Sequence, residues 1–418
     1  MIPGPRTRAL ARVLQAFESR NVTYIDDEFP VFWESASGAN VYDADDNRYI
    51  DLTSAFGVAS VGHSNPVVVE AIAQQARALM HGMGDVHPTA VRAQLLQRLA
   101  GVLPAGLGVT FLATTGSEAI EAALKTAVLA TGKHRFVTYH NAYHGLSLGA
   151  LEIGGIEKFL RPFASLVADV AIRVDYPDAL HADSATAIAQ LQAAVDPHDD
   201  VAAIVIEPIQ GRGGCIVPPT GYLRALREYC DALGILLIFD EIYTGFGRTG
   251  HWFACEYESV APDIMCIGKA MGGGFPISAM VGTRAVMERA WPPSAGEALH
   301  TSTYLGNPMG CAAALATIGE LERLALPSKA RDLGASIEQH LRGMLAHPAV
   351  VAVRGRGGMW GLQLRDAAKA LHAVKTALSR GVLLVQAGPR GDVLSITPPL
   401  VITALQLRTA LDIVSEVL

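Results

Sequence analysis

Three apolar runs in this chain each end on an ionisable group, and between them they constrain the fold more than any other feature. "VAAIVI" (201–206) runs into Glu207, "ILLIF" (235–239) into Asp240 and Glu241, and "DIMCIG" (263–268) into Lys269. A strand with no polar face belongs to a sheet covered on both sides, typically a parallel sheet with helical crossovers. The helices are legible between the runs. "SNPVVVEAIAQQARALM" (64–80) opens on a cap followed by proline. "TGSEAIEAALKTAVLATG" (115–132) has Thr115 and Glu118 at capping-box spacing, with Gly132 as its stop. "TGYLRALREYCDALG" (220–234) also closes on glycine, and further strands are expected at 109–115 and 277–282. Such sheets hold ligands at the carboxyl ends of their strands. Gly116-Ser117, Glu207, Asp240-Glu241 and Lys269 should therefore share one edge.

Beyond about residue 310 the pattern changes to helices over 310–324 and 328–345, short strands near 351–353, 359–364, 382–385 and 393–396, and a last amphipathic helix, 403–418. The expected organisation is an α/β fold with a large domain, 56–308, built on a mainly parallel sheet sandwiched by helices. A smaller α+β domain, 309–418, follows, and an N-terminal segment, 1–55, packs with it.

Half of the 418 residues are apolar, enough for a large core. Mean hydropathy is +0.28, yet the longest apolar runs are strand-length, far short of the ~18 residues a spanning helix needs. The excess apolar content points to surface buried between subunits. The N-terminal stretch has no apolar core before a small-residue cleavage site, so no signal peptide is expected. Five scattered cysteines without a C-x-x-C pair fit a reducing, cytoplasmic compartment and argue against disulfides or a cysteine metal site. A net charge of −7 with no basic cluster disfavours nucleic acid as a partner.

Of seven lysines, only Lys269 sits between an apolar strand and a glycine run, "AMGGGFP". Desolvation there favours the neutral, nucleophilic amine that Schiff-base chemistry requires. The turn "GFGRTG" after Glu241 has dinucleotide-like spacing, but in a dinucleotide loop the glycines precede the acidic residue and open a helix. Here they follow it, and "HWFACEYE" is a poor helix start.

The segments "TTGSEAIEAALKTA", "NAYHGLSLGAL", "VIEPIQGRGG", "FDEIYTGFGRTG", "IGKAMGGGFPISA" and "HTSTYLGNPMGCAAAL" occur in this order. Together they resemble the class III (ω-) aminotransferases, pyridoxal-phosphate (PLP) enzymes of fold type I. The resemblance implies a ping-pong transfer of an amino group from an amine or amino acid to a 2-oxo acid, pyruvate or 2-oxoglutarate. It makes Lys269 the covalent cofactor lysine and proton shuttle, and Asp240 the partner of the pyridine nitrogen. Gly116 and Ser117 match the phosphate-binding helix start. Tyr143 matches the aromatic on one ring face and Ile242 the aliphatic under the other. His144 fits equally a packed histidine and a catalytic one. Tyr243 stands near the cofactor's phenolic oxygen, and Thr303 matches a threonine reaching the cofactor phosphate of the partner subunit, so a homodimer is the minimal unit and dimers could pair into tetramers. Glu241 is expected to hold nearby backbone. Phe56, Glu207 and Arg390 are the candidate substrate contacts. An amino-acid racemase on the same fold is the alternative, with a nicotinamide oxidoreductase built on "GFGRTG" more remote.

Three positions depart from that family. Leu146 and Ser395 stand where members acting on ornithine, acetylornithine or 4-aminobutyrate tend to carry arginines, and Tyr243 where many have glutamine. Carboxylates bind best to a forked guanidinium, so the loss of both arginines puts those donors in doubt. Arg390, and more weakly Arg248 and Arg212, are the remaining arginine candidates.

Overall fold

The computed structural model describes residues 2–418. After a helix, Pro5–Phe17, the chain forms a meander of β1 (Trp33–Ser37), β2 (Asn40–Asp43) and β3 (Arg48–Asp51). Its turn is organised by the buried Asp43 carboxylate, which accepts from the N–H groups of Asp45 (2.9 Å) and Asn47 (2.8 Å) and from the Tyr49 hydroxyl (2.7 Å).

Seven strands make the central sheet: β4 (Leu107–Ala113), β5 (Arg135–Tyr139), β6 (Ala171–Val174), β7 (Val201–Ile206), β8 (Leu236–Asp240), β9 (Ile264–Ile267) and β10 (Ser278–Thr283). They lie in the order β4-β10-β9-β8-β7-β5-β6. β10 runs antiparallel to both neighbours, and the remaining pairs are parallel. Every residue of β7, β8 and β9 is buried. The two-residue period of a strand explains how. Leu237, Phe239, Met265 and Ile267 enter the core on one face, while Leu236, Ile238, Ile264 and Cys266 enter that on the other.

The C-terminal part has β11 (Val350–Arg356), β12 (Met359–Leu364), β13 (Val382–Leu383), β14 (Val385–Ala387) and β15 (Val393–Ile396). Four of these form an antiparallel sheet, β11-β12-β15-β14, whereas β13 joins the N-terminal meander by pairing in parallel with β3. Cores and expected boundary do not coincide at residue 309. Helix Pro308–Arg323 buries Cys311, Ala313, Ala314 and Ile318 in the large core. The next helix, Leu326–Gly343, bridges the two: Leu326 and Ala330 face the large core, Ile337 and Leu341 the C-terminal one. A helix longer than one core is wide serves both, which residue pattern alone does not reveal.

Candidate active site

The strand-end residues meet in one cavity of about 360 Å³. Gly116, Ser117, Tyr143, His144, Glu207, Asp240, Ile242, Tyr243 and Lys269 all line it. Val58, Thr114, Gly145 and the segment 274–277 complete the wall. Of these, Thr114, Gly145 and the 274–277 stretch lie within the segments that carried a sequence signal, whereas Val58 does not. A larger cleft, about 700 Å³, lies along helices Leu326–Gly343 and Ala404–Glu416. Its charged side chains Lys329, Asp332 and Arg408 are exposed, so none is desolvated into reactivity.

Lys269 follows β9 in a left-handed backbone conformation, φ 43°, a costly geometry for a side-chain-bearing residue that concentrates at functional sites. Its Nζ stands 4.3 Å from the centroid of the Tyr243 ring. Desolvation lowers its pKa, against the opposing pull of Asp240 and Glu207, which brings the amine form within reach.

Asp240 and Glu241 are adjacent, so a strand's alternation sends them opposite ways. Asp240 faces the cavity. His144 Nδ1 lies 2.7 Å from its Oδ2, and the Ile242 N–H donates to Oδ1 at 3.0 Å. Burial works against a charged His144, but the bond to Asp240 and its charge outweigh this and raise the pKa. Through Nδ1, His144 is thus bonded to the carboxylate, while its ring also lines the cavity. Glu241 turns away, accepting from the N–H groups of Ala254 (3.0 Å) and Cys255 (2.8 Å) and from the Thr244 hydroxyl. It holds backbone, as expected.

Burial pushes the Glu241 carboxyl up to about 7. A raised folded pKa gives stability that is complete below the unfolded value and lost as pH climbs through the folded one. Glu241→Gln presents an amide to donors that need acceptors, and should cost ~2 kcal/mol of stability at pH 5. Because only the wild type loses stability at this position as pH rises, the gap between the two melting midpoints should narrow from pH 5 to pH 8. A gap that widens would contradict the assignment.

The turn after Glu241 opens no helix. Its Arg248 is fully buried, donating to the carbonyls of Gly358 (3.1 Å) and Pro398 (2.6 Å) and to the hydroxyls of Ser54 (3.2 Å) and Ser60 (2.9 Å). "GFGRTG" is a structural clasp.

At the other end of the cavity, helix Gly116–Thr131 begins with a capping box between Thr115 and Glu118. That box takes up neither the Gly116 nor the Ser117 N–H, leaving both for an anion at the positive end of the helix. Space is reserved there: a Cβ on Gly145, at φ +124°, would come 2.0 Å from Ser117 Oγ. Glu207 is buried, its Oε2 taking the Tyr143 N–H at 3.2 Å and its Oε1 the Gly211 N–H at 3.1 Å. Burial, opposed by His144 and reinforced by Asp240, holds this carboxyl at about 7.

Two expected residues are not brought to the cavity. Phe56 is exposed, as is Thr303, whose expected place is the phosphate site of a partner subunit. Arg390 is an exposed side chain paired with Asp392 at 2.5 Å, a contact two residues away that satisfies it locally. Leu146 is exposed as well, whereas Ser395 is buried beside Tyr243 and Cys215.

A reactive amine, an anchored carboxylate and a free helix start surround a cavity at the strand ends. The donor set fits PLP: N–H groups at a helix start for a phosphate, an anion for a ring nitrogen and a lysine for a carbonyl. The chain belongs to the class-III aminotransferase family, whose model it matches over residues 23–418. It is a PLP-dependent aminotransferase, moving an amino group from an amine or amino acid to a 2-oxo acid. Among its relatives are an acetylornithine aminotransferase of Methanosarcina mazei, 38% identical with 93% of this chain and 91% of that one covered, and a putrescine aminotransferase of Pectobacterium atrosepticum, 37% identical with 96% and 84% covered. In three dimensions it resembles an ornithine aminotransferase from Toxoplasma gondii, described with partial PLP occupancy, at a TM-score of 0.88, 30% identity and coverage of 98% and 94%. Neither racemisation nor nicotinamide chemistry finds support among these relatives.

Proposed function

We propose that Lys269 and Asp240 carry the amino transfer, with Gly116, Ser117, Tyr143, His144, Ile242 and Tyr243 holding or positioning PLP. The observation that carries this reading is the placement of Lys269: a lysine with a depressed pKa in the wall of a cavity that also holds an anchored carboxylate. Bound there, PLP supplies a carbonyl that captures amino groups and a ring that withdraws electrons. Lys269, when unprotonated, would take the proton from the substrate carbon next to nitrogen and hold it on its Nζ. Asp240, steadied by His144 and the Ile242 N–H, keeps a counter-charge beside the ring nitrogen.

The functional unit in this reading is a homodimer in which Thr303 completes the phosphate site of the partner. Leu79, Met80, Met83, Val86, Leu299 and Tyr304 are all exposed. The His81 and Tyr304 rings lie 5.3 Å apart, and Asn307 donates to the Met80 carbonyl at 3.2 Å, so these two stretches form one apolar surface beside Thr303. A contiguous patch of this kind marks an interface. The cytoplasm is the proposed compartment: all five cysteines are free and buried, and among the described residues no helix is long and apolar enough to cross a membrane.

The deciding experiment is the absorption spectrum of the PLP-loaded protein given amino donors singly, without acceptor. A visible band that bleaches and returns on adding pyruvate or 2-oxoglutarate is expected. A protein that gains no such band, or keeps it when Lys269 is replaced by alanine, would refute the assignment, and a single-chain mass by sedimentation would refute the dimer.

A further inference from the structure

The relatives' names leave the donor open between molecules that bear carboxylates and one that is a diamine. The cavity wall discriminates between these chemistries. No arginine lines it among the described residues. Tyr243 and Ser395, two departures noted above, turn out to be neighbours. The Tyr243 hydroxyl lies 3.1 Å from Thr397 Oγ1 and beside the Ser395 side chain. Gly57 and Gly211 make room for its ring: a Cβ on Gly57 would come 2.2 Å from Cε2, and one on Gly211 2.4 Å from Cδ1 on the opposite edge. The tyrosine ring thus occupies the neighbourhood of Ser395, whose small side chain leaves space for it.

Glu207 is thereby left without an arginine partner. Its two oxygens accept the Tyr143 and Gly211 N–H groups, one each, and among the described residues it makes no ion pair. Each oxygen retains acceptor capacity toward the cavity. The Tyr243 ring already presents a face to one amino nitrogen, the Nζ of Lys269. A buried carboxylate and the face of an aromatic ring are the two groups that stabilise an alkylammonium ion.

We propose that Glu207 and Tyr243 form a receptor for a second positive charge on the amino donor, making this enzyme selective for diamines over amines that end in a carboxylate. This rests on the aminotransferase reading and narrows it. Lengthening a monoamine by a terminal ammonium should help. Replacing that ammonium by a carboxylate should harm, since the added anion would face Glu207 with no guanidinium to receive it.

The test uses the PLP-loaded enzyme with three donors of equal length: 1,4-diaminobutane, 1-aminobutane and 4-aminobutanoate. kcat/KM for the diamine should exceed that for the monoamine by about tenfold or more, with the amino acid lowest. Calorimetric binding of the tertiary analogues N,N,N′,N′-tetramethyl-1,4-diaminobutane, N,N-dimethylbutylamine and 4-(dimethylamino)butanoate, which cannot react, should follow the same order. Glu207→Gln should collapse the diamine-to-monoamine ratio to about threefold or less, while Glu207→Asp, which keeps the charge, should retain part of it. If 4-aminobutanoate matches or exceeds the diamine, or the preference survives in Glu207→Gln, the receptor assignment is overturned. If no donor is turned over although the cofactor is bound, it is the aminotransferase reading that fails. The binding order of the unreactive analogues still decides the charge preference.

Discussion

Lys269→Ala should lower kcat/KM for amino transfer by about 10⁴-fold or more and remove the covalent attachment of the cofactor while leaving the fold intact. Two roles are lost with one side chain, attachment and proton transfer. No other lysine is placed to assume them. Lys125, Lys158, Lys329 and Lys369 are exposed, Lys133 is outside the cavity lining, and Lys375 is held by Asp26 at 2.6 Å and Glu28 at 3.1 Å. Adding small primary amines should recover part of the proton-transfer rate in this variant, because the cavity around the missing side chain would accept them. Activity within tenfold of wild type would assign the chemistry to a different group.

The second large effect is expected at Asp240. Asp240→Asn should reduce kcat/KM about 10–10³-fold, as judged from the one to three pKa units that a neighbouring charge typically contributes. It should also weaken retention of PLP. The asparagine can still accept from the Ile242 N–H or from His144, so the variant should melt close to wild type. Circular dichroism and the melting midpoint would distinguish this from misfolding. Glu241→Gln, one residue on, should show the converse pattern of lowered stability with the bound cofactor's spectrum unchanged. If the two neighbours gave the same phenotype, the division of labour read from their opposite directions would be wrong.

Much of this site was legible because a parallel sheet turns sequence order into spatial proximity. Residues directly after apolar runs, such as Glu207, Asp240 and Lys269, come together at one edge whatever the loops do. The central strands were legible for the same reason. The antiparallel course of β10 was not, since a buried strand reads identically in either direction. Nor was the pairing of β3 with β13, which joins segments more than 300 residues apart. The contact of Tyr243 with Ser395 and Thr397 is invisible for this reason too, although each residue stood out as a departure when taken singly. Phe56 and Arg390 show the limit of transferring a role by motif. Loop residues keep their place in the sequence pattern, while their direction depends on local contacts, as the Asp392 pairing of Arg390 shows.

Arg248 has a bearing on whether this chain can be divided. Its guanidinium is buried without a carboxylate partner, and its four acceptors come from residues 54, 60, 358 and 398, at both ends of the polypeptide. A fragment ending near residue 308 would keep the arginine and lose two of those acceptors, exchanging two buried hydrogen bonds for water. The C-terminal part of the chain thus completes the polar shell of an arginine that belongs to the large sheet's own turn, and ties the two parts together there.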